Sequence, residues 1–198
     1  MVEAWHNWVG TFTGVVVMTV AALPLAALVV WALAHRRRVG GAAPAWAWRR
    51  SLAEVGIVYG TVPWVWMTMM PGDRAGAVPG RVTLIPLRDL FTILADGGPQ
   101  TLTGQVVGNL LVFAALGFFA PLRFAVLASV PRVLALGAAC SVLVETAQYV
   151  FQLDRVSSVD DVLVNAAGAA LAGLASRRWW RVRAAAPADL PRPAAARS

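Results

Sequence analysis

Long apolar runs alternate with shorter polar segments along the whole chain. The apolar runs cover residues 9–34, 51–70, 106–127, 133–153 and 159–176. A helix needs about 20 mostly apolar residues to cross the hydrocarbon core of a bilayer, and about 17 is the lower limit. The pattern therefore predicts an all-α, polytopic membrane protein with about five transmembrane helices, of which the last is the shortest.

The polar segments between the runs predict how the chain is organised. Residues 71–105 form a long polar loop with several Gly and Pro residues, whereas residues 154–158 are a very short link. We expect a first transmembrane helix with an arginine-rich cytoplasmic loop in residues 1–50 and a membrane domain in residues 51–176. Residues 177–198 would be a basic cytoplasmic tail, with a Pro, Ala and Arg content typical of disorder.

Composition excludes an ordinary soluble domain and narrows the possible partners. Hydrophobic residues make up 59% of the chain and charged residues 14%, and the mean hydropathy is +0.65. A net charge of +7 would favour a nucleic-acid partner in a soluble protein. Here the arginines lie at the ends of apolar runs, so membrane topology explains them and we expect no nucleic-acid partner. Cys140 is the single cysteine, which excludes an intrachain disulfide.

The arginines also predict the orientation of the helices. If the loop after the first run is cytoplasmic, the inside holds Arg36, Arg37, Arg38, Arg49, Arg50, Arg123, Arg132, Arg177, Arg178, Arg181, Arg183, Arg192 and Arg197, and the outside holds Arg74, Arg81, Arg88 and Arg155. Because cytoplasmic segments carry the excess of Arg and Lys, the N-terminus is predicted outside and the C-terminus in the cytoplasm. A cleaved signal peptide is the competing interpretation of the first run, but the run lacks a basic start.

Seven polar residues lie within or beside the last three apolar runs. They are Asn109, Glu145, Gln148, Arg155, Asp160, Asp161 and Asn165, called the polar cluster below. A charged side chain at membrane depth costs about 2.5–3.5 kcal/mol on insertion scales, so such residues usually have a function. With the predicted orientation, all seven fall in the outer half of the membrane or at its outer surface. The polar cluster is therefore the candidate functional site.

Spacing predicts that this cluster is formed by neighbouring helices. Glu145 and Gln148 are three residues apart and share one helix face, as do Asp161 and Asn165, which are four apart. The short link between the fourth and fifth runs requires antiparallel neighbours, which brings the two faces together. Arg155 lies in that link and is the expected charge partner of one carboxylate.

Further spacings predict close packing and one ion pair. Small residues four apart allow two helices to approach closely, and an acid and a base four apart on a helix can pair. The predicted pairs are Gly104 with Gly108, Gly168 with Ala172, and Arg50 with Glu54.

Structural roles are the alternative explanation for several members of the cluster. Asp160 can be a favoured acidic residue of a first helical turn, with Ser157 or Ser158 as the cap. Asn109 and Asn165 can be interhelical hydrogen-bonding residues without chemistry. Paired carboxylates can also act as acid and base. We expect no metal and no cofactor, because no His or Cys has ligand spacing and the chain has neither a nucleophile elbow nor a phosphate loop.

The motifs occur in a characteristic order. They are Leu84-Ile85-Pro86, Gly108-Asn109 through Leu116-Gly117-Phe118, Glu145-Thr146-Ala147-Gln148, Arg155, Asp160-Asp161 and Asn165-Ala166-Ala167-Gly168. In this order, over residues 82–176, the chain resembles the VanZ-like family of bacterial membrane proteins. The resemblance implies a multi-pass protein of the bacterial cell membrane. The family takes its name from a member that confers low-level resistance to the glycopeptide teicoplanin, an antibiotic that acts outside the membrane on lipid-linked cell-wall precursors.

Three functions of different class remain open. The first is a non-catalytic envelope protein whose outward-facing cluster binds or shields a lipid-linked precursor or a glycopeptide, with membrane lipid as a further partner. The second is an intramembrane enzyme in which Glu145 and Asp161 act on a lipid-linked envelope substrate. The third is a small ion-coupled transporter with Glu145 as the titrating group. We favour the first, because no nucleophile or metal motif supports an enzyme and no internal repeat supports a transporter.

Overall fold

The computed structural model describes the backbone of residues 12–180 and the side chains of residues 13–95 and 103–180. In this part of the chain, four segments are long and apolar enough to cross a membrane: Thr13–Val39, Thr103–Arg123, Val130–Val150 and Val159–Trp180. By helix composition the chain is therefore a multi-pass membrane protein, as predicted. The tail residues 181–198 and the start of the first run lie outside the described residues.

The first two helices form an antiparallel hairpin. Helix α1 is Phe12–Val39 and helix α2 is Pro44–Thr68, so the predicted loop of residues 35–50 is reduced to four residues. Pro44 starts α2, where its fixed φ suits a first helical turn. Tyr59 donates a hydrogen bond to the Thr19 carbonyl at 2.5 Å, which joins the two helices. Helix α2 is not among the four candidate spans, because its charged first turns and its Tyr, Trp and Pro residues lower its hydropathy.

The predicted polar loop of residues 71–105 is wrong in its second half. Strand β1 (Arg81–Thr83) is followed by the short helix α3 (Arg88–Thr92), a π-helical turn (Ile93–Gly97) and helix α4 (Gly98–Val112). Helix α5 (Ala114–Arg123) continues α4 after a break at Phe113, whose φ of −113° and ψ of 13° depart from helical values. The third predicted run is therefore two short helices in line.

The last two helices form the predicted antiparallel hairpin. Helix α6 is Val130–Val150, strand β2 is Val156–Ser158, and helix α7 is Val159–Trp180. Helix α7 begins where the apolar run begins and extends four residues beyond its predicted end at residue 176. Its neighbours are α4, α5 and α6, so α7 lies at the centre of the helix packing.

Glycines allow the close approach of α7 to its neighbours. A Cβ on Gly168 would overlap the backbone of Leu110 in α4, and a Cβ on Gly117 of α5 would overlap the backbone of Ala169 in α7. Gly168 therefore makes the predicted close contact. The prediction for Gly104 and Gly108 is wrong, because a Cβ at either position meets no atom within 4 Å.

Arginines collect at the end of the molecule where α1, α5 and α7 finish and α2 and α6 start, called the basic end below. Glu54 of α2 pairs there with Arg50 at 3.2 Å, as predicted, and also with Arg37 at 2.5 Å and Arg123 at 2.6 Å. Arg49 donates a hydrogen bond to the Trp179 carbonyl. One carboxylate thus joins three helices. The opposite end, where the long loop and the two strands lie, is called the loop end.

Candidate functional site

Two short strands cover the loop end. β1 and β2 pair in parallel, with Arg81 opposite Val156 and Thr83 opposite Ser158. Asp154 accepts ion pairs from Arg74 at 3.4 Å and from Arg81 at 3.7 Å, so the loop before β1 is held against the link after α6. These strands and their ion pairs form the rim of the candidate site.

The link between α6 and α7 reverses the chain in a few residues. Gln152 and Asp154 have φ values of +50° and +54°, a left-handed conformation that makes the reversal tight. The amide of Gly76 donates to the Gln152 carbonyl at 2.9 Å, and the amide of Gly72 donates to the Leu153 carbonyl at 2.9 Å. The loop after α2 therefore donates hydrogen bonds to backbone carbonyls that have no partner within the turn after α6.

Glu145 joins α6 to the strand that precedes α7. One of its carboxylate oxygens accepts the backbone N–H of Ser158 at 3.1 Å, and its backbone carbonyl accepts the Ser157 hydroxyl at 2.9 Å. The residue is only 8% exposed. A carboxyl group so deep in an apolar helix is stabilised by these contacts with Ser157 and Ser158.

Asp161 and Asn165 lie one turn apart on α7 and connect it to two other helices. The Asn109 side-chain amide of α4 donates to Asp161, and the Asn165 amide donates to the Ser141 hydroxyl of α6 at 2.8 Å. Both asparagines thus have the interhelical role considered from the sequence. Asn165 is 3% exposed, and its side-chain oxygen Oδ1 is buried without a partner. Such an orphan acceptor is unusual in a protein interior and calls for an explanation.

Gln148 and Arg155 contact backbone carbonyls at the end of α2. Gln148 donates to the Thr68 carbonyl at 2.9 Å, and Arg155 donates to the Met70 carbonyl at 3.3 Å. Within residues 12–180, Arg155 makes no direct ion pair with a carboxylate of the cluster. The predicted charge partnership is present only at longer range, since the Arg155 charge acts on both Glu145 and Asp161. The short link to α7 places the Arg155 guanidinium at the exposed rim and not between the helices.

Asp160 stands apart from the rest of the cluster. Its carboxylate accepts the backbone N–H groups of Leu87 at 2.5 Å, Asp89 at 3.0 Å and Leu90 at 3.2 Å. It therefore caps the N-terminus of α3 from another helix, and Leu87 has a left-handed φ of 65° at that point. The Ser158 hydroxyl accepts the amide of Asp160 at 3.1 Å, as the capping alternative predicted.

Six of the seven cluster residues line one cavity of about 640 Å³ at the loop end. Asp160 is the exception. The cavity lies between α2, α4, α6 and α7, with the link and β1 at its rim, and the residues that line it include Asn109, Glu145, Gln148, Arg155, Asp161 and Asn165. Its size falls within the usual range of small-molecule sites, roughly 300–1,000 Å³.

Several cavity residues were missed from the sequence. Arg81 and Asp154 contribute charges at the rim, and Trp64 contributes an apolar wall from α2. Gly104 and Gly108 line the cavity too, so their missing side chains leave open volume instead of a helix contact. The two glycines beside Asn109 could have indicated a cavity wall, although their four-residue spacing is equally typical of close helix packing.

No metal-binding arrangement is evident in the part of the chain that the structure describes, where no three His, Cys, Asp or Glu residues converge. The cavity instead offers carboxylate and amide oxygens inside and guanidinium groups at its rim. These groups suit a ligand held by hydrogen bonds and charge.

Comparison with known families identifies the family of this chain. Residues 57–180 match the VanZ/LLP1 family, which is more than half of the chain. The chain belongs to the VanZ/LLP1 family. The matched segment of this VanZ/LLP1 protein starts within α2 and ends with α7, so it contains every residue that lines the cavity and leaves out α1. No curated protein and no solved structure gives a significant match.

Proposed function

We propose that this VanZ/LLP1 protein resides in the bacterial cell membrane and binds the head group of a lipid-linked envelope ligand in the cavity at its loop end. The observation that carries the proposal is the single cavity of about 640 Å³ in which buried Glu145 and Asn165 meet Asp161, with Arg155 at the rim. Polar groups buried at such cost are usually kept for function. A structural role alone needs each of them paired, and Asn165 Oδ1 is not.

The distribution of arginine supports an outward-facing cavity. Among the described residues, the basic end carries Arg36, Arg37, Arg38, Arg49, Arg50, Arg123, Arg132, Arg177 and Arg178, and the loop end carries Arg74, Arg81, Arg88 and Arg155. The positive-inside rule places the basic end in the cytoplasm. The cavity then opens to the outside, the N-terminus is outside and the C-terminus is cytoplasmic.

Helix α2 is the fifth span in this proposal. It has 25 residues and so a length of about 37 Å at 1.5 Å per residue, enough to cross a bilayer. It packs on α1 in the hairpin and on α5, with Gly56 against Phe119 and Gly60 against Ala115. Because α1 is long and apolar enough to span the membrane, a helix of similar length packed antiparallel to it crosses the same layer.

An apolar cavity beside the polar one suits a ligand that also carries a hydrocarbon chain. This second cavity has a volume of about 320 Å³ and is lined mainly by apolar residues such as Leu84, Val142 and Val162. Glu145 lines both cavities. An amphiphile could thus place its head group and its chain on the two sides of α6.

The experiment uses teicoplanin sensitivity, because a protein that shields lipid-linked precursors on the outer face should change it. Glu145→Gln and Asp161→Asn replace one cavity carboxyl group each with an amide and keep an oxygen for the Ser158 and Asn109 donors. We expect a bacterial host producing either variant to be more sensitive than one producing the native chain, at equal amounts of protein in the membrane. Asp73→Asn removes an exposed loop-end charge outside the cavity and is the matched control. Unchanged sensitivity at full membrane levels would contradict the proposal.

A second candidate function is catalysis on the same ligand. It is favoured by one observation, that Glu145 and Asp161 line the same cavity and could act as acid and base. Turnover of a labelled envelope lipid by the purified protein, lost in both variants and retained in Asp73→Asn, would establish the enzyme. Binding without turnover would exclude it.

A further inference from the structure

The floor of the polar cavity is rich in hydrogen-bond acceptors. Asn165 Oδ1 is buried and unpaired, and the carboxyl groups of Glu145 and Asp161 lie beside it, where they accept the Ser158 backbone N–H and the Asn109 amide. Asn165 uses one N–H of its side-chain amide to donate to the Ser141 hydroxyl. A ligand that fills this floor must therefore bring donors.

The three acceptor groups lie on turns of α6 and α7 that face each other. Asp161 and Asn165 are four residues apart on α7, which places their Cβ atoms about 5–6 Å apart. Ser141, which holds Asn165, is four residues from Glu145 on α6. The backbone contact between Glu145 and Ser158 brings α6 to the start of α7 just beside Asp161. An ammonium group has three N–H donors and one positive charge, which match three acceptors and an acidic floor.

The rim of the same cavity has the opposite charge. Arg155 and Arg81 both line it and both are exposed, and the Arg155 guanidinium is used only by the Met70 carbonyl among the described residues. Guanidinium groups bind phosphate through several N–H donors at once. The cavity is therefore bipolar, with acceptors at its buried floor and cations at its exposed rim.

From this polarity we infer that the ligand is zwitterionic, with a primary ammonium group on the cavity floor near Glu145, Asp161 and Asn165 and a phosphate at Arg155. The head group chemistry is that of a phosphoethanolamine. The inference rests on the proposed function and specifies the ligand of the same cavity. A cavity of about 640 Å³ has room for a head group of this size.

The test is a competition between lipids that differ only in the head group. The full chain in detergent micelles is given an equimolar mixture of phosphatidylethanolamine, phosphatidylcholine and phosphatidylglycerol with identical acyl chains, and bound lipid is measured by native mass spectrometry. Phosphatidylcholine keeps the positive charge but has no N–H donor, and phosphatidylglycerol has no cation. We expect a preference of about tenfold or more for phosphatidylethanolamine, because hydrogen bonds to charged groups are the strong ones.

Variants locate the two ends of the ligand. Glu145→Gln and Asp161→Asn should each remove most of the preference for phosphatidylethanolamine over phosphatidylglycerol, and Arg155→Gln should weaken binding of both lipids. Asp73→Asn should behave as the native chain does. Equal binding of phosphatidylglycerol by the native chain would overturn the inferred ammonium site, while leaving lipid binding in place.

Soluble phosphoethanolamine separates the possible sources of the head group. If it displaces bound lipid at similar concentration, the inferred chemistry stands and the ligand need not be a lipid. If neither it nor any of the three lipids binds, the inference is wrong. The proposed function fails by a different result, which is unchanged teicoplanin sensitivity in the Glu145 and Asp161 variants.

Discussion

Asp160 and Asp161 are neighbours in the chain, and their carboxylates serve different parts of the molecule. Asp160 accepts three backbone N–H groups of residues 87–90, whereas Asp161 accepts the Asn109 amide and lines the cavity. Successive helical residues point about 100° apart, so two adjacent acids can face two different helices. One of the pair holds the start of α3, and the other lines the cavity.

The Asp160 cap should be sensitive to loss of a single acceptor. In Asp160→Asn, the side chain offers one oxygen and one NH₂, so at least one of the amides of Leu87, Asp89 and Leu90 loses its partner. A buried donor left unpaired costs about 1–3 kcal/mol. We expect hydrogen exchange at residues 87–90 to become faster in the purified variant. Asp161→Asn is the control, and equal protection of these amides in all three proteins would show that the cap is not needed.

The glycine contacts of α7 predict a contrast between two substitutions. Gly168→Ala places a methyl group against the Leu110 backbone, whereas Gly104→Ala meets no atom within 4 Å. Overpacking of this kind costs about 1–3 kcal/mol, because two backbones must separate. Thermal unfolding of the purified protein in detergent should show a lower midpoint for Gly168→Ala than for the native chain. Because Ala has the higher helix propensity, a midpoint for Gly104→Ala that falls as far would mean that the Leu110 contact does not set the result.

The basic end predicts a charge effect that is far from the cavity. Glu54→Gln leaves Arg37, Arg50 and Arg123 without their shared carboxylate, whose side chain is 27% exposed. The expected loss is about 1–3 kcal/mol, between values for exposed and fully buried pairs. Thermal unfolding measures the loss, and ligand binding by the surviving folded protein should be unchanged. Asp73→Asn should leave the unfolding midpoint unchanged. A lower ligand affinity in Glu54→Gln would show that the ion pairs of the basic end affect binding at the loop end.

The proposed orientation can be tested with single cysteines in a chain carrying Cys140→Ala. Arg155→Cys places a thiol at the exposed loop end, and Arg132→Cys places one at the basic end. In intact cells, a membrane-impermeant thiol reagent should label the first and not the second. Permeabilised cells should show labelling of both. Labelling at position 132 alone in intact cells would reverse the orientation and with it the outward-facing cavity.

Much of the fold follows from local patterns in the sequence. The hairpin of α6 and α7 was predicted because only a few residues separate two apolar runs, and the Ser158 cap of Asp160 because its spacing is local. The cluster residues Glu145, Gln148, Asp161 and Asn165 were predicted to meet because helical spacing places each pair on one face. That these residues bind a ligand remains a prediction.

The parts that could not be predicted depend on distant partners. Asp160 contacts backbone amides some 70 residues away, and nothing in the local sequence distinguishes that role from an ordinary helix start. The expected direct ion pair of Arg155 is absent because nearness in the chain gave no information on the direction of a guanidinium at a tight turn. The strands β1 and β2 have three residues each, too few for an alternating pattern to be recognised.

The pairing of β1 with β2 has a consequence for the order in which the protein assembles. The two strands lie on either side of α4, α5 and α6 in the chain, so their contact has a long sequence separation and closes late. When α6 has been synthesised and β2 has not, Glu145 still lacks its hydrogen bond from the Ser158 amide. On its own, α6 is unfavourable in lipid, and insertion of α7 supplies the missing hydrogen-bond donor. Glu145, a residue of the candidate site, therefore makes stable insertion of α6 depend on the last helix, α7.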